Sequence, residues 1–472
     1  MLDKIYIVIM EATAQSVEDY LIDGLSFKLS PGASYITNRR SVTYHPSDGN
    51  DYSPTGIKVI RLTLTGDGWL DASTLRIMFK LNNTNTDTAA AALSGILYPI
   101  SGPWSFFRRM RVLCGGQLIE DIDYYNRVHE MFHNFQSRDV RINDMIEGFG
   151  NNSTLAQDDY NQVHPPYTAL NADQWNLGHG IPQGASEFVC FRPLSGLIGQ
   201  GKMLPLRYAP ITIELEVVNS TIEPVIVQHR DATPVTVNHS TSWTISEFQV
   251  KCDICSIDNA LDNEYAQHLL SGKSLPISYS TYITQLQAIA GTSSIAVNVQ
   301  RAFSRLKSIF ISTACTGQLA ITPAVANTRC LSKEWNLFYH PMNSVSGNYS
   351  PALDFEFQLQ IGSKLFPEYP IRSTKEAFYQ LRKCLGVHNS TFHSLDITPA
   401  QYQSYKHIIG IDTEKVLSAG FTGLNTKAGD LMTVKFNGIP TGNAAILPDK
   451  LYIVMHADMI MNIRDTGVEV LE

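Results

Sequence analysis

Residues 57–81 read Ile57-Lys58-Val59-Ile60-Arg61-Leu62-Thr63-Leu64-Thr65-Gly66-Asp67-Gly68-Trp69-Leu70-Asp71-Ala72-Ser73-Thr74-Leu75-Arg76-Ile77-Met78-Phe79-Lys80-Leu81. Leu75, Ile77, Phe79 and Leu81 fall on one side of an extended backbone, and Arg76, Met78 and Lys80 on the other. That two-residue period is the pattern of a half-buried strand. Ile60, Leu62 and Leu64 repeat it before Gly66-Asp67-Gly68, so the stretch predicts two strands joined by a short glycine turn. Working outward, the same signal returns at 211–217, 243–254, 295–299, 355–361, 431–436 and 451–463. Polar connections separate these runs, the longest at 82–95, 137–185 and 218–241. Connections of that length usually form towers, lids or contact surfaces.

Helices are few. Val128, Met131, Phe132 and Phe135 recur at i, i+3, i+4 and i+7 and predict one apolar stripe on a helix over 123–136. A second helix starts at Ser373 or Thr374, where Glu376 completes a capping-box spacing, and stops at Gly386. A third covers Asp262–Leu270. The first two helices occupy like positions in an internal duplication. Met110–Leu113, Gly115-Gly116 and Gln117-Leu118-Ile119 precede one; Phe355–Ile361, Gly362 and Lys364-Leu365-Phe366 precede the other. The prediction is an all-β chain of two tandem jelly-roll β-sandwiches with a few short inserted helices. The first spans 1–256 with an N-terminal segment and long loops; the second spans 257–472.

The 472 residues carry 36 Lys and Arg against 44 Asp and Glu, a net charge of −8, and only 17% are charged. With 44% hydrophobic and 10% aromatic residues, long disorder is excluded. An acidic balance without a basic tail argues against wrapping nucleic acid through its phosphates. The apolar run at 5–10 is too short for a signal peptide or a membrane span, so a soluble chain is expected. Seven scattered cysteines do not form a disulfide framework, and sequons such as those at Asn82, Asn219 and Asn238 reflect an Asn- and Thr-rich composition.

Four local patterns invite a chemical reading. His129-Glu130-Met131-Phe132-His133 spells H-E-x-x-H, in which two histidines one helical turn apart hold zinc and the Glu acts on its water. The extended form fails, because Gln136 and Asp139 stand where Gly and His are needed; the stripe leaves both histidines on the flank of a surface helix. Gly196-Leu197-Ile198-Gly199-Gln200-Gly201-Lys202-Met203 nearly makes a phosphate loop, but Met203 replaces the Mg²⁺-binding hydroxyl and Pro205 interrupts the helix that should follow. It reads as a glycine-rich turn before a strand. Cys252-Asp253-Ile254-Cys255 lies on a strand whose geometry sends the two thiols to opposite faces, so buried free thiols are expected. Trp104-Ser105-Phe106-Phe107-Arg108-Arg109 reads as the aromatic lead-in to a packed strand. No catalytic, cofactor-binding or metal residue is assigned.

Four stretches carry a resemblance to a known family. They are Gly102-Pro103-Trp104-Ser105-Phe106-Phe107 with the turn at 115–116, and Pro193-Leu194-Ser195-Gly196-Leu197 with Leu204-Pro205-Leu206 and Ile211–Leu215. The others are Gln358-Leu359-Gln360-Ile361-Gly362 with the helix at Thr374–Leu385, and the ending from Gly429-Asp430-Leu431 through Ile453–Asp458 to Ile463–Val468. Together they resemble the double jelly-roll major capsid proteins of double-stranded DNA viruses, most nearly those of Polinton-like viruses, adintoviruses and virophages. The resemblance implies a non-enzymatic shell protein without cofactors. It implies homotrimeric, pseudo-hexagonal capsomers, packed against neighbouring capsomers and against penton and minor proteins in an icosahedral virion assembled inside the host cell. DNA contact would fall to other proteins. A tandem β-sandwich carbohydrate-binding protein is the alternative, and a zinc hydrolase at His129 and His133 the third reading.

Overall fold

The computed structural model describes residues 35–49, 51–86, 95, 97, 99–149, 181–225, 240–289, 293–314, 338–342, 355–387, 395–403, 406–416, 421–427, 431–439 and 448–472. In the first half the strands are β1 (Ile36–Tyr44), β2 (Asp51–Tyr52), β3 (Val59–Leu64), β4 (Trp69–Asn83), β5 (Phe107–Cys114), β6 (Gln117–Asp123), β7 (Ser186–Phe191), β8 (Leu204–Pro205), β9 (Ile211–Val217) and β10 (Trp243–Ile257). The second half holds β11 (Leu275–Ala288), β12 (Ser294–Val299), β13 (Leu306–Ala314), β14 (Glu356–Ile361), β15 (Lys364–Ile371), β16 (Ile409–Asp412), β17 (Met432–Asn437), β18 (Lys450–Arg464) and β19 (Gly467–Leu471).

These strands build four antiparallel sheets. In the first half they run β1-β10-β4-β7 and β3-β9-β5-β6; in the second, β11-β18-β13-β16 and β12-β17-β14-β15. Setting aside the two-residue strands and β19, each half has eight strands in the same spatial orders, first-eighth-third-sixth and second-seventh-fourth-fifth. That is the jelly-roll arrangement, in which the chain alternates between the two faces of a sandwich. The Gly66–Gly68 turn shows how the alternation is achieved, since β3 and β4 belong to different sheets. A β-carbon on Gly68 would lie 2.3 Å from Ile254 Cγ2 and 2.9 Å from the Cys255 carbonyl, so the crossover needs glycine. Apolar side chains from both halves form one continuous cluster.

The expected helices are present at Tyr125–Asn134, Asn259–Leu270 and Thr374–Cys384. Asp258 caps the second of these, accepting from Ala260 N at 3.2 Å, so it starts three residues earlier than predicted. Ser373 caps the third at the predicted place, and Gly386 ends it with a positive φ of 70°. The duplicated strand–turn–strand–helix units are both present, but the helices pack differently. Tyr125–Asn134 lies on β5 and the Pro103–Phe106 turn, whereas Thr374–Cys384 lies on β16, where Gly410 leaves room for Leu381 and Cys384.

A helix at Arg138–Glu147 was not predicted. Among the described residues no helix is long and apolar enough to cross a membrane. The apolar run at 5–10, and the centres of the long connections at 87–94, 150–180 and 226–239, lie outside the described residues.

Candidate functional site at the junction of the sandwiches

The Tyr125–Asn134 helix is a buried wedge, which corrects the expectation of a surface helix. Its stripe divides between the two halves of the chain. Val128 and Met131 enter the first core, while Phe132 reaches Tyr282 and Phe310 of the second sandwich with ring centroids 4.6 and 5.2 Å apart. Phe135 meets Phe310 at 5.5 Å. The flank carrying the histidines is covered as well. Trp104 stacks on His129 at 4.1 Å, and the Arg138–Glu147 helix brings Asp144 Oδ2 to 3.5 Å from His133 Nε2.

This geometry engages His129 Nε2 and Glu130 with protein partners, while His129 Nδ1 and both ring nitrogens of His133 are buried without a hydrogen bond. His129 Nε2 stands 3.0 Å from the Arg192 carbonyl, which can only accept, so that nitrogen carries the proton. Glu130 Oε2 accepts from Trp104 Nε1 at 3.0 Å, and Asn134 Nδ2 donates to the Glu130 carbonyl at 2.9 Å. Burial depresses the His129 pKa to about 3. Among the described residues no group of three His, Cys, Asp or Glu side chains could hold a metal ion.

The glycine-rich stretch forms a short helical turn, Gly196–Gly199, instead of a plain turn before a strand, and it lies where the sandwiches meet. Its free amides are taken by a protein carboxyl group. Glu120 Oε1 accepts from Gly196 N at 2.8 Å, and Oε2 accepts from Leu197 N at 3.2 Å and from the Ser195 hydroxyl. Ser195 Oγ also accepts from Ile198 N at 3.2 Å. An oriented carboxylate at the start of a helical turn satisfies the amides that a phosphate would otherwise meet. Glu120 is buried, and that burial raises its carboxyl pKa despite these bonds.

Around this turn, β6 of the first sandwich lies against β11 of the second. Tyr279 Oη donates to the Ile119 carbonyl at 3.1 Å, and Thr284 Oγ1 donates to the Asp123 carbonyl at 2.7 Å. Gly196 presses on the Ser280 backbone, and Lys202 Nζ donates to the Pro276 carbonyl at 3.0 Å. Further along, the Arg127 guanidinium lies over the Tyr452 ring at 4.9 Å, and Arg141 donates to the Asp396 carbonyl at 3.1 Å. Tyr282 stacks on His456 at 4.8 Å, and burial lowers the His456 pKa to about 4. Burial of apolar surface with a few well-paired polar groups fixes the relative placement of two rigid units.

Sequence reasoning did not find Glu120, Tyr279, Thr284, Tyr282 or Phe310. Their significance depends on partners about 75 to 180 residues away in the chain, as in Glu120 with Ser195 and Phe132 with Phe310. Two further expectations hold. Cys252 and Cys255 are buried free thiols, and Trp104, Phe106 and Phe107 are packed at the start of β5. Burial pushes the Cys252 thiol up to about 12.

No family model and no curated protein matches the sequence. Solved structures do match over nearly the whole chain. The capsid of the PBCV-1 virus aligns with a TM-score of 0.57 at 11% identity, covering 95% of this chain and 100% of that one. A chain of the Sputnik virophage aligns at 0.58 and 9% identity, covering 94% and 90%. The Faustovirus major capsid protein aligns at 0.52 and 10% identity, covering 93% and 92%. The fold is therefore a double jelly roll, as the strand orders of the two halves already indicate.

Proposed function

We propose that this chain is a major capsid protein: a structural, non-enzymatic subunit of an icosahedral shell. The supporting observation is likeness along the full length. Both sandwiches and the joint between them align with capsid chains, covering 95% of this chain and all of the PBCV-1 capsid chain. The packed junction supports the same reading, because a shell subunit must present two sandwiches at one constant angle. In this proposal the units are 1–256 and 257–472, three chains form a pseudo-hexagonal capsomer, and neighbouring capsomers, penton and minor proteins complete the virion. The motifs at 102–107, 193–215, 358–385 and 429–468 favour the Polinton-like, adintovirus and virophage group within double-stranded DNA viruses.

Light scattering on the purified chain tests this, followed by negative-stain imaging of the eluted peak. A stable species of three chains with a six-lobed outline is the expected result. A chain that stays monomeric at high concentration overturns it.

A further inference from the structure

Two histidines outside the junction hold one end of the second sandwich. The stretch 338–342 lies in the connection between β13 and β14 and is tied down on both sides. Tyr339 N donates to the Thr313 carbonyl at 2.8 Å, Thr313 Oγ1 donates to the Tyr339 carbonyl at 2.6 Å, and His407 N donates to the Phe338 carbonyl at 2.9 Å. Phe338, Tyr339, His340 and Met342 are all buried. One ring locks the stretch in place. Met342 N donates to His340 Nδ1 at 3.1 Å, so that nitrogen is the acceptor, and the proton on Nε2 points to Thr374 Oγ1 at 3.2 Å. The His407 ring lies 4.2 Å from the His340 ring, and His407 Nε2 is buried without a hydrogen bond.

We propose that the stretch 338–342 is an acid-released strap: a proton taken up at His340 Nδ1 removes the acceptor of the Met342 amide and ejects the stretch, opening this end of the second sandwich while both jelly rolls stay folded. The device goes beyond the capsid reading and does not depend on it. Its two states are mutually exclusive. Nδ1 cannot carry its own proton and also accept one from Met342, and two buried N–H groups facing each other both go unsatisfied. The described groups around the pair do not offset the charge. Phe355, Ser312 and Thr313 bring none. Tyr339 is neutral in acid, as is Tyr402, whose ring lies 5.1 Å from His407 and whose hydroxyl donates to the Ile408 carbonyl at 2.8 Å. Thr374 opens the helix Thr374–Cys384, and a helix N-terminus disfavours a cation. In that first turn Lys375 is positive, and Glu376 is engaged with Arg372 N at 3.1 Å. Lys406, next to His407, is a buried cation. Burial accordingly holds His340 at about 3 and His407 well below 6.5 in the closed state. Once open, each ring regains its ordinary value. Each therefore raises the open-to-closed ratio about 25-fold between pH 7 and 5, and the pair about 600-fold.

Hydroxyl-radical footprinting of the full chain, read by mass spectrometry, tests this. Met342 and Tyr339 should oxidise at least tenfold faster at pH 5 than at pH 7, and should be protected again in a sample returned to pH 7 before the radical pulse. Met459 and Met461, buried in the second core, should stay protected throughout. The double variant His340→Gln, His407→Phe leaves no titrating ring at the strap and should keep Met342 protected at pH 5. Three results overturn the proposal: wild-type Met342 that stays protected at pH 5, Met459 and Met461 that become exposed together with it, or a double variant that opens in acid as the wild type does. None of them touches the capsid reading. If the double variant already exposes Met342 at pH 7, the single variant His407→Phe decides. With one titrating ring left, its opening should move to lower pH, and an unmoved midpoint overturns the assignment to the pair.

Discussion

Gly196 sits so close to Ser280 that a β-carbon on it would stand 1.9 Å from the Ser280 carbonyl oxygen. One residue belongs to the first sandwich and the other to β11 of the second, so this contact sets how near the two units come. The obstacle is backbone, so no rotamer change relieves it. Gly196→Ala should lower stability by about 1–3 kcal/mol, the usual cost of overpacking. Urea unfolding measures it, and an unchanged midpoint would show that the joint tolerates separation.

Phe132 is the apolar counterpart of that contact, set between Tyr282 and Phe310. It is half-buried, so Phe132→Ala should cost about 2–3 kcal/mol, somewhat less than a fully buried phenylalanine. Loss of the wedge should also uncouple the sandwiches. Calorimetry should then resolve two transitions where the wild-type chain shows one.

Burial holds four histidines neutral: His129 and His340 at about 3, His456 at about 4, and His407 well below its ordinary 6.5. A group whose pKa is depressed on folding contributes stability above its unfolded pKa that is lost as pH falls towards the folded one. Stability should therefore decline from about pH 6.5 towards 4, each unit of depression being worth about 1.4 kcal/mol. Glu120 works the other way, because its raised carboxyl pKa means that acid relieves a penalty. Urea midpoints at pH 7, 6 and 5 measure the balance. His407→Phe should flatten the slope, and a variant with the wild-type slope would remove His407 from the account.

His129 and Glu130 are already hydrogen-bonded, to the Arg192 carbonyl and the Trp104 indole. Treatment with a chelator should leave the melting temperature within about 1 °C, because a resident ion would stabilise the folded state by mass action. A drop of several degrees, restored by zinc, would reinstate the metal reading.

Cys114 and Cys252 are held as thiols, pushed up to about 12 by burial. Since the thiolate is the reactive form, both should resist a thiol reagent at pH 8 until denaturant is added. Peptide mapping after labelling of the native chain checks this, and modification at either site without denaturant would contradict their burial.

Much of this molecule was legible in local pattern. The alternation at 57–81 announced strands, the spacing at 128–135 a helix, and Ser373 with Gly386 the two ends of another, because each signal depends on neighbours a few residues away. β13 escaped notice for the opposite reason. Both its faces are covered, one by its own sandwich and one by the Phe132 and Phe135 rings, and a strand buried on both sides loses its two-residue period. The sequence by itself therefore determined many of the strands, the duplication and the class of fold. Tertiary structure alone decided that the His129 helix is a wedge and that Glu120 fills the glycine turn. Those outcomes rest on contacts between residues far apart in the chain, and no local spacing encodes them.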